Sequence, residues 1–302
     1  MSLRIVRTVA ELRGAVARWR RAGQSVAVVP TMGALHGGHL KLVAEGSKRA
    51  DRVIATIFVN PAQFAAHEDL GRYPSDEAGD FAKLRRAGCH LVFAPPVAEI
   101  YPMGFATTVS LAGPAKAGLE DRFRPGFFDG VATIVAKLFI ATGADFALFG
   151  EKDYQQLLVV RTLAADLNIP ITVIGVATER EADGLAMSSR NAYLSKDERE
   201  AAPALHRALA KAALRIAAGT APAAACLAAR RQLRRLGFAV DYLEARNAMT
   251  LAKPNSPAEP LRLLAAARLG KTRLIDNLAV PVPVQSRLKR SNRPSPAKPR
   301  RR

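Results

Sequence analysis

The chain has 302 residues, of which 49% are hydrophobic, and a formal net charge of +19 at neutral pH. This length accommodates one large domain or two modest ones, each with a packed core. No apolar run is long enough to span a bilayer, and no signal-peptide core follows the basic N-terminus, so we expect no transmembrane segment. Cys89 and Cys226 are far apart and lack metal-ligand spacing, so we expect a reduced, cytoplasmic protein.

Part of the positive charge is concentrated at the C-terminus. Residues 286–302 include eight basic residues, three prolines and no acidic residue. Because this segment offers almost no apolar side chain for burial, we expect a basic disordered tail that does not contribute to catalysis. Binding of the tail to RNA or another polyanion is the alternative. The rest of the chain is still basic, which suits a protein whose substrates are anions.

The first half of the chain alternates short apolar segments with amphipathic ones. Strands are predicted at residues 26–29, 53–59, 91–94, 146–149 and 171–176. Helices are predicted between them, at residues 40–50, 75–87, 131–142 and 154–167. Because the strands are apolar almost throughout, this alternation indicates the α/β class, with a parallel sheet covered by helices on both faces.

The pattern changes near residue 178. A polar segment at 178–195 precedes two predicted helices, at 196–218 and 222–236, and three strand-like segments, at 238–245, 261–267 and 272–276. This order predicts a smaller α+β C-terminal domain. We therefore expect a first domain at residues 1–177, a second at 178–285 and the basic tail at 286–302.

The most informative motif follows the predicted strand at residues 26–29. It reads Pro30-Thr31-Met32-Gly33-Ala34-Leu35-His36-Gly37-Gly38-His39 and runs directly into a helical pattern. Such a turn gathers backbone N–H groups, a helix N-terminus and two imidazoles around one point, which suits a polyphosphate. A polar surface loop is the simplest alternative. A metal half-site is weaker, because the turn holds no third ligand.

Three further polar segments are expected at the same edge of the sheet, where such sheets bind their ligands. They read Asn60-Pro61-Ala62-Gln63, Gly150-Glu151-Lys152-Asp153-Tyr154-Gln155-Gln156 and Met187-Ser188-Ser189-Arg190. Lys152 and Arg190 can neutralise phosphate, and the serine hydroxyls are additional donors. The neutral amides of Gln63 and Gln156 suit a hydroxylated substrate whose carboxylate must stay nucleophilic. Each segment alone could be a surface loop.

Taken together, the motifs resemble those of the pantoate–β-alanine ligases, the pantothenate synthetase family, over residues 3–284. The two-histidine signature alone is shared by the wider nucleotidylyltransferase superfamily, which includes class I aminoacyl-tRNA synthetases. The resemblance implies a two-step ligation and a Rossmann-like first domain that binds ATP and pantoate. We expect the smaller C-terminal domain to act as a lid over this site. ATP and pantoate would give pantoyl adenylate and pyrophosphate, and β-alanine would then displace AMP to form pantothenate. A related adenylyl- or cytidylyltransferase is the alternative enzyme.

The resemblance also implies roles for individual residues. His39 corresponds to the catalytic histidine of the family, and we expect His36, Lys152 and Arg190 to supply positive charge with it. Gln63 and Gln156 map to the pantoate site, and the β-alanine subsite falls near Gln63. The implied ATP site comprises Met32, Gly33, Ala34, Leu35, His36, Gly37, Gly38, His39, Gly150, Glu151, Lys152, Asp153, Glu179, Met187, Ser188, Ser189 and Arg190.

The resemblance also implies a homodimer. It further implies Mg²⁺ that is held mainly by the triphosphate, with no dedicated metal ligand from the protein.

Two positions depart from the family pattern. Phe127 stands where histidine is more frequent, and Glu179 occupies a usually apolar position beside the expected adenine. An RNA-binding protein is the alternative from another class, but the chain lacks an aromatic-rich RNA-binding signature, and Trp19 is its only tryptophan.

Overall fold

The computed structural model describes residues 3–64, 70–72, 75–256 and 259–281. Its strands are β1 (Arg4–Val6), β2 (Val26–Val29), β3 (Arg52–Thr56), β4 (Leu91–Phe93), β5 (Phe146–Gly150), β6 (Thr172–Val176), β7 (Ala239–Asn247), β8 (Leu261–Leu269) and β9 (Thr272–Ala279). Its α-helices are α1 (Val9–Arg21), α2 (Gly37–Ser47), α3 (Glu77–Arg86), α4 (Val97–Ile100), α5 (Glu120–Phe123), α6 (Phe127–Thr142), α7 (Tyr154–Asp166), α8 (Lys196–Ala201), α9 (Ala204–Ala217) and α10 (Pro222–Arg235).

Strands β1 to β6 form one parallel sheet in the order β1-β4-β3-β2-β5-β6. The chain proceeds from β2 through β3 to β4 on one side, and it then places β5 on the other side of β2. The strand order therefore reverses between β2 and β5. Ligands of parallel sheets bind beyond the carboxyl ends of the strands at such a point.

Helices cover both faces of this sheet, as predicted. Alternate side chains of a strand point to opposite faces, and β2 shows the consequence. Val26 and Val28 belong to a core that includes residues of α1, α6 and α7, whereas Ala27 and Val29 belong to a core that includes residues of α2 and α3. The predicted parallel α/β architecture is confirmed.

Several elements differ from the sequence-based prediction. Strand β1 was not predicted, because it has only three residues and lies at the sheet edge. Helix α1 was not predicted either. Helix α1 begins at a capping box formed by Thr8 and Glu11. The single helix predicted at 196–218 is wrong, because Pro203 has no N–H to continue the helical hydrogen bonds and separates α8 from α9.

Strands β7, β8 and β9 form an antiparallel sheet, and both faces of this sheet are covered by other parts of the chain. One face, with Leu263 and Ala265, forms a core with α9 and α10. The other face, with Tyr242, Leu264 and Ala266, belongs to the same core as the first domain. The predicted smaller α+β unit is confirmed. Residues 286–302, expected to be a disordered tail, and the boundary expected at 285 lie outside the described residues.

A buried ionic network also joins the antiparallel sheet to the first domain. Arg273 donates two hydrogen bonds to the Glu120 carboxylate at 2.8 Å, and the Tyr242 hydroxyl donates a third at 2.8 Å. Burial raises the pKa of Glu120, but the contacts with Arg273 outweigh it and hold that pKa below its usual value. Glu120 is therefore ionised, and the ion pair fixes the sheet against the first domain.

Among the described residues, no helix has the length and apolar character needed to cross a membrane. Cys89 and Cys226 are free and buried, and burial raises the pKa of each thiol to about 11. Both thiols are therefore uncharged at neutral pH and act as small apolar side chains.

Candidate active site

The turn after β2 requires an unusual backbone. Gly33 has a φ of +84°, and a Cβ at this position would lie 3.1 Å from Asp80 Oδ2, so glycine alone fits without strain. The buried Asp80 accepts a hydrogen bond from Leu35 N at 2.9 Å, and Lys83 Nζ donates to Leu35 O at 2.9 Å. Helix α3 thus holds the turn in place. No local motif in the sequence indicates this support, since Asp80 lies 45 residues beyond Leu35.

The two histidines cap the helix that follows. Gly38 N donates to His36 Nδ1 at 3.2 Å, and His36 N donates to His39 Nδ1 at 3.3 Å. This reciprocal cap explains why α2 begins at Gly37 rather than at the predicted residue 40. Because both Nδ1 atoms accept hydrogen bonds, each neutral ring carries its proton on Nε2. The ring centroids are 4.1 Å apart, so the site holds two adjacent Nε2–H donors.

Both imidazoles are neutral at physiological pH. Burial, followed by the charge of Lys152, lowers the pKa of His36 to about 4. Burial, followed by the charges of His36 and Lys152, lowers the pKa of His39 to about 3. The expectation that His36 and His39 supply positive charge is therefore corrected, because both rings are neutral in the folded protein. They are neutral hydrogen-bond donors, and Lys152 and Arg190 supply the charge.

A titration followed by NMR tests this protonation state. We expect the imidazole signals of His36 and His39, assigned with His→Gln variants, to stay unchanged from pH 8 to about pH 5. The unfolded chain binds these protons near pH 6.5, while the folded chain does so only near pH 4 or below. The free energy of unfolding should therefore fall as the pH drops from about 7 toward 4. Titration midpoints near pH 6.5 for both imidazole rings would contradict the conclusion that His36 and His39 are neutral at physiological pH.

The histidines line a cavity of about 230 Å³ beyond the carboxyl ends of β2 and β5. Most of the sequence-predicted site residues line the same cavity. They are Met32, His36, Gly38, His39, Gln63, Gly150, Lys152, Asp153, Gln156, Glu179, Met187, Ser188, Ser189 and Arg190. The structure therefore brings all four predicted segments together.

Five predicted residues do not line this cavity. Gly33, Ala34 and Leu35 form the supporting turn, and a Cβ at Gly37 would lie 3.1 Å from Met187 Sδ. The Glu151 carboxylate pairs with Arg262 at 3.0 Å. These residues shape the site through backbone conformation and packing rather than through side chains directed into the cavity.

Lys152 and Arg190 occupy two short turns that the fold brings to the same cavity. Lys152 lies in the 3₁₀ turn Glu151–Asp153, between the end of β5 and the start of α7. Arg190 lies in the 3₁₀ turn Ser189–Tyr193, where Ser188 Oγ accepts a hydrogen bond from Arg190 N at 3.3 Å. Two positive charges therefore face the space next to the neutral imidazoles.

Gln63 is oriented by Asn60, a residue of the same predicted segment to which the sequence alone assigns no role. Asn60 is 1% exposed, and its Nδ2 donates to Gln63 Oε1 and to Gly130 O at 3.1 Å each. The Tyr101 hydroxyl donates to Asn60 Oδ1 at 2.7 Å. A Cβ at Gly130 would lie 2.2 Å from Ala62 O, so glycine lets α6 approach this turn closely.

Two adjacent glutamines of α7 have different environments. Gln155 is 2% exposed, accepts a hydrogen bond from Glu120 N at 2.9 Å and donates to Pro114 O at 2.8 Å. Gln156 is only partly buried and lines the cavity. Gln155 therefore supports the fold, and Gln156 is the amide available to a ligand.

Phe127 and Glu179, the two positions expected to depart from the family pattern, have clear local contacts. The Arg124 guanidinium lies 3.7 Å from the centroid of the Phe127 ring and donates to Gln63 O at 3.2 Å. The Glu179 carboxylate pairs with Lys41 Nζ at 2.7 Å, and its backbone oxygen accepts from Met187 N at 3.0 Å. Phe127 therefore provides a surface for a cation rather than a polar contact. Glu179 adds a charged pair to the cavity wall.

A second cavity, of about 470 Å³, adjoins the first and extends between the two domains. The residues that line both are Arg124, Phe127, Lys152, Asp153, Gln156, Ser188 and Arg190. The two cavities therefore form one cleft that has residues of both domains in its walls. Among the described residues, no group of three or more His, Cys, Asp or Glu side chains could hold a metal ion.

Comparison with known proteins agrees with the sequence-based resemblance. The family model described as pantoate-beta-alanine ligase matches residues 4–279. The pantothenate synthetase of Paramagnetospirillum magneticum is 56% identical over 280 residues, which cover 92% of this chain and 98% of the relative.

Solved structures agree as well. The pantothenate synthetase from Thermus thermophilus gives a TM-score of 0.87 at 48% identity, over 92% of this chain and 99% of that one. The pantoate-beta-alanine ligase from Francisella tularensis, complexed with Beta-gamma ATP and β-alanine, gives a TM-score of 0.79 at 30% identity, over 92% and 98% of the chains. The chain belongs to the pantoate–β-alanine ligase family and is a ligase.

Proposed function

We propose that this chain ligates pantoate to β-alanine through a pantoyl-adenylate intermediate. A carboxylate oxygen of pantoate attacks the α-phosphorus of ATP, the bond to the β-phosphate breaks, and pyrophosphate leaves. The amine of β-alanine then attacks the acyl carbon, and the carbon–oxygen bond to AMP breaks. The products are pantothenate and AMP, and the carboxylate itself is the nucleophile at phosphorus.

One observation carries this proposal: phosphate-directed groups and two neutral amides line the same cavity. His36 and His39 offer Nε2–H donors, Lys152 supplies charge, and Gln63 and Gln156 offer amides. Amides can bind the hydroxyls of a substrate without neutralising the carboxylate that must attack. Catalysis then depends on alignment and on stabilising the charge that develops on pyrophosphate.

The roles follow from these chemical types. His39 and His36 donate to phosphate oxygens, and Lys152 and Arg190 neutralise phosphate charge, with the hydroxyls of Ser188 and Ser189 as further donors. Gln63 and Gln156 bind pantoate, and β-alanine enters near Gln63. The Francisella tularensis relative, complexed with Beta-gamma ATP and β-alanine, supports the choice of these ligands.

The residues present fit Mg²⁺ that arrives with ATP. Mg²⁺ keeps several waters and binds phosphates together with one or two carboxylates, rather than a dedicated protein cage. Asp153 places a carboxylate at both cavities beside Lys152. The ion would offset phosphate charge, while Lys152 and Arg190 orient the oxygens that it leaves free.

The two domains have separate parts in this proposal. Residues 1–177 bind ATP and pantoate, and residues 178–285 cover the site. The acyl adenylate would be hydrolysed in open water, so the reaction needs a covered cleft. The contact of Arg273 with Glu120 and the interdomain position of the larger cavity support this arrangement.

A product assay tests the proposed function. The protein is incubated with ATP, Mg²⁺, pantoate and β-alanine, and each component is omitted in turn. We expect AMP and pantothenate in equal amounts, and turnover only when both small acids are present. Steady AMP formation without β-alanine, or transfer of adenylyl or cytidylyl groups to another acceptor in place of ligation, would favour a related nucleotidylyltransferase.

The adjacent glutamines of α7 provide a matched pair of variants. Gln156→Ala should raise the KM for pantoate about 5- to 100-fold, the cost of one or two lost hydrogen bonds, and should leave ATP affinity nearly intact. Gln155→Ala should lower the thermal midpoint without a selective change in this KM, because its hydrogen bonds are within the protein. Isothermal titration with ATP and steady-state kinetics measure both effects. Loss of ATP affinity in Gln156→Ala would refute the assignment of Gln156 to pantoate rather than to ATP.

A further inference from the structure

Two adjacent residues of β9, Asp276 and Asn277, are buried polar groups outside the predicted site, and each is 3% exposed. Side chains alternate along a strand. Leu274 packs in the core with α9, and Ile275 packs against the core of the first domain. By the same alternation, Asp276 faces the side of α9 and Asn277 faces the first domain.

Asn277 holds the turn that carries Lys152. Its Nδ2 donates to Glu151 O at 2.9 Å and to Lys152 O at 2.8 Å. Its Oδ1 accepts from Arg262 Nε at 2.6 Å, and Arg262 Nη2 reaches the Glu151 carboxylate at 3.0 Å. Asn277, a residue of the second domain, therefore donates both of its amide protons to backbone oxygens of the turn that carries Lys152.

Asp276 holds the segment that carries Arg190. Its carboxylate accepts two hydrogen bonds from Arg180, at 2.8 and 2.9 Å. Arg180 also donates to Gly184 O at 3.1 Å and pairs with Ala186 through its backbone. This contact fixes the base of the hairpin that leads directly into residues 187–190.

We propose that Asp276 and Asn277 are positioning residues for adenylation, which set the Lys152 turn and residues 188–190 at the spacing needed for one triphosphate. The inference rests on the proposed function, since it assigns both segments to the same nucleotide. Consecutive residues of one strand are a short and stiff connection between the two segments. A displacement of about 1 Å in a catalytic group can lower a rate about 100-fold.

The isosteric variant Asn277→Asp removes both amide donors and leaves the side-chain volume unchanged. We expect kcat for pantoate-dependent exchange of pyrophosphate into ATP to fall about 10- to 100-fold, with little change in the KM for pantoate. Release of pantothenate from preformed pantoyl adenylate should stay within about threefold of the wild type, because that step does not use the triphosphate.

Asn247→Asp is the matched control. Asn247 lies in the same sheet, and its Nδ2 donates to Glu259 at 2.8 Å, outside the candidate site. This variant should lower the thermal midpoint without slowing exchange at a temperature where the protein is folded. Equal losses in both half-reactions of Asn277→Asp, or a similar loss of exchange in Asn247→Asp, would reduce Asn277 to a structural role and overturn the proposal.

A double-mutant cycle adds a readout that stability alone does not change. If Asn277 acts through Lys152, Asn277→Asp should cost less than about threefold in a Lys152→Ala background. An unchanged cost would contradict the proposal. If Asn277→Asp does not fold, Arg180→Lys tests the contact between Asp276 and the segment that carries Arg190. This variant keeps the positive charge but loses the paired hydrogen bonds with Asp276. A normal rate of pyrophosphate exchange in Arg180→Lys would contradict the proposal. Absence of exchange in the wild type would instead refute the proposed function.

Discussion

We expect His39→Ala to lower the rate of pantoyl-adenylate formation about 10²- to 10⁴-fold, the range for loss of a preorganised donor in a water-excluded site. The Nε2–H of His39 is placed at the start of α2 by the reciprocal cap with His36. The ring is neutral, because burial lowers its pKa to about 3. The loss is therefore the loss of an oriented dipole and not of a charge.

Two further substitutions separate the donor from the helix cap. His39→Asn can still accept the hydrogen bond from His36 N, so the thermal midpoint should recover while adenylation stays slow. His39→Gln places an amide near the former Nε2 position, so part of the adenylation rate should return. The second step, measured with preformed pantoyl adenylate, should change far less in all three variants. Equal losses in both steps would show that His39 does not act on the phosphates.

Lys152→Met should produce the second large effect, a fall of about 10²- to 10³-fold in adenylation with weaker ATP binding. The substitution keeps the length of the side chain and removes a charge that acts on phosphate in a partly dehydrated cleft. The same charge contributes to the lowered pKa of both histidines. The pKa values of His36 and His39 should therefore rise in this variant.

Stopped-flow release of pyrophosphate and NMR titration measure the two consequences together. Lys48→Met is a suitable control, because Lys48 is exposed and pairs with Glu45 at the far end of α2 from the histidines. It should change neither measurement. Normal adenylation in Lys152→Met would remove Lys152 from the phosphate site, whatever happens to the histidines.

Local patterns in the sequence predicted most of the sheet and the four site segments. The inner strands β2, β3, β4 and β5 are buried along most of their length, so each reads as an apolar run followed by a polar turn. That regularity placed Lys152 after β5 and the histidines after β2. The strand order, with β5 beside β2, then brings these turns to one cavity.

Long-range contacts could not be predicted in this way. Asp80 supports the turn at Leu35 from a separate helix, and Asn277 reaches the Lys152 turn across 125 residues of chain. Neither residue belongs to a local motif. The protonation state of the histidines was also misjudged, because burial and the neighbouring charge of Lys152 exist only in the folded protein.

The central claim, that the carboxylate of pantoate attacks the α-phosphorus of ATP, is tested most directly by oxygen labelling. Pantoate carrying ¹⁸O in both carboxylate positions is converted with ATP and β-alanine, and the products are analysed by mass spectrometry. We expect one ¹⁸O atom in each AMP, one in pantothenate and none in pyrophosphate. Unlabelled AMP, or ¹⁸O recovered in inorganic phosphate with ADP as the nucleotide product, would contradict the adenylate mechanism.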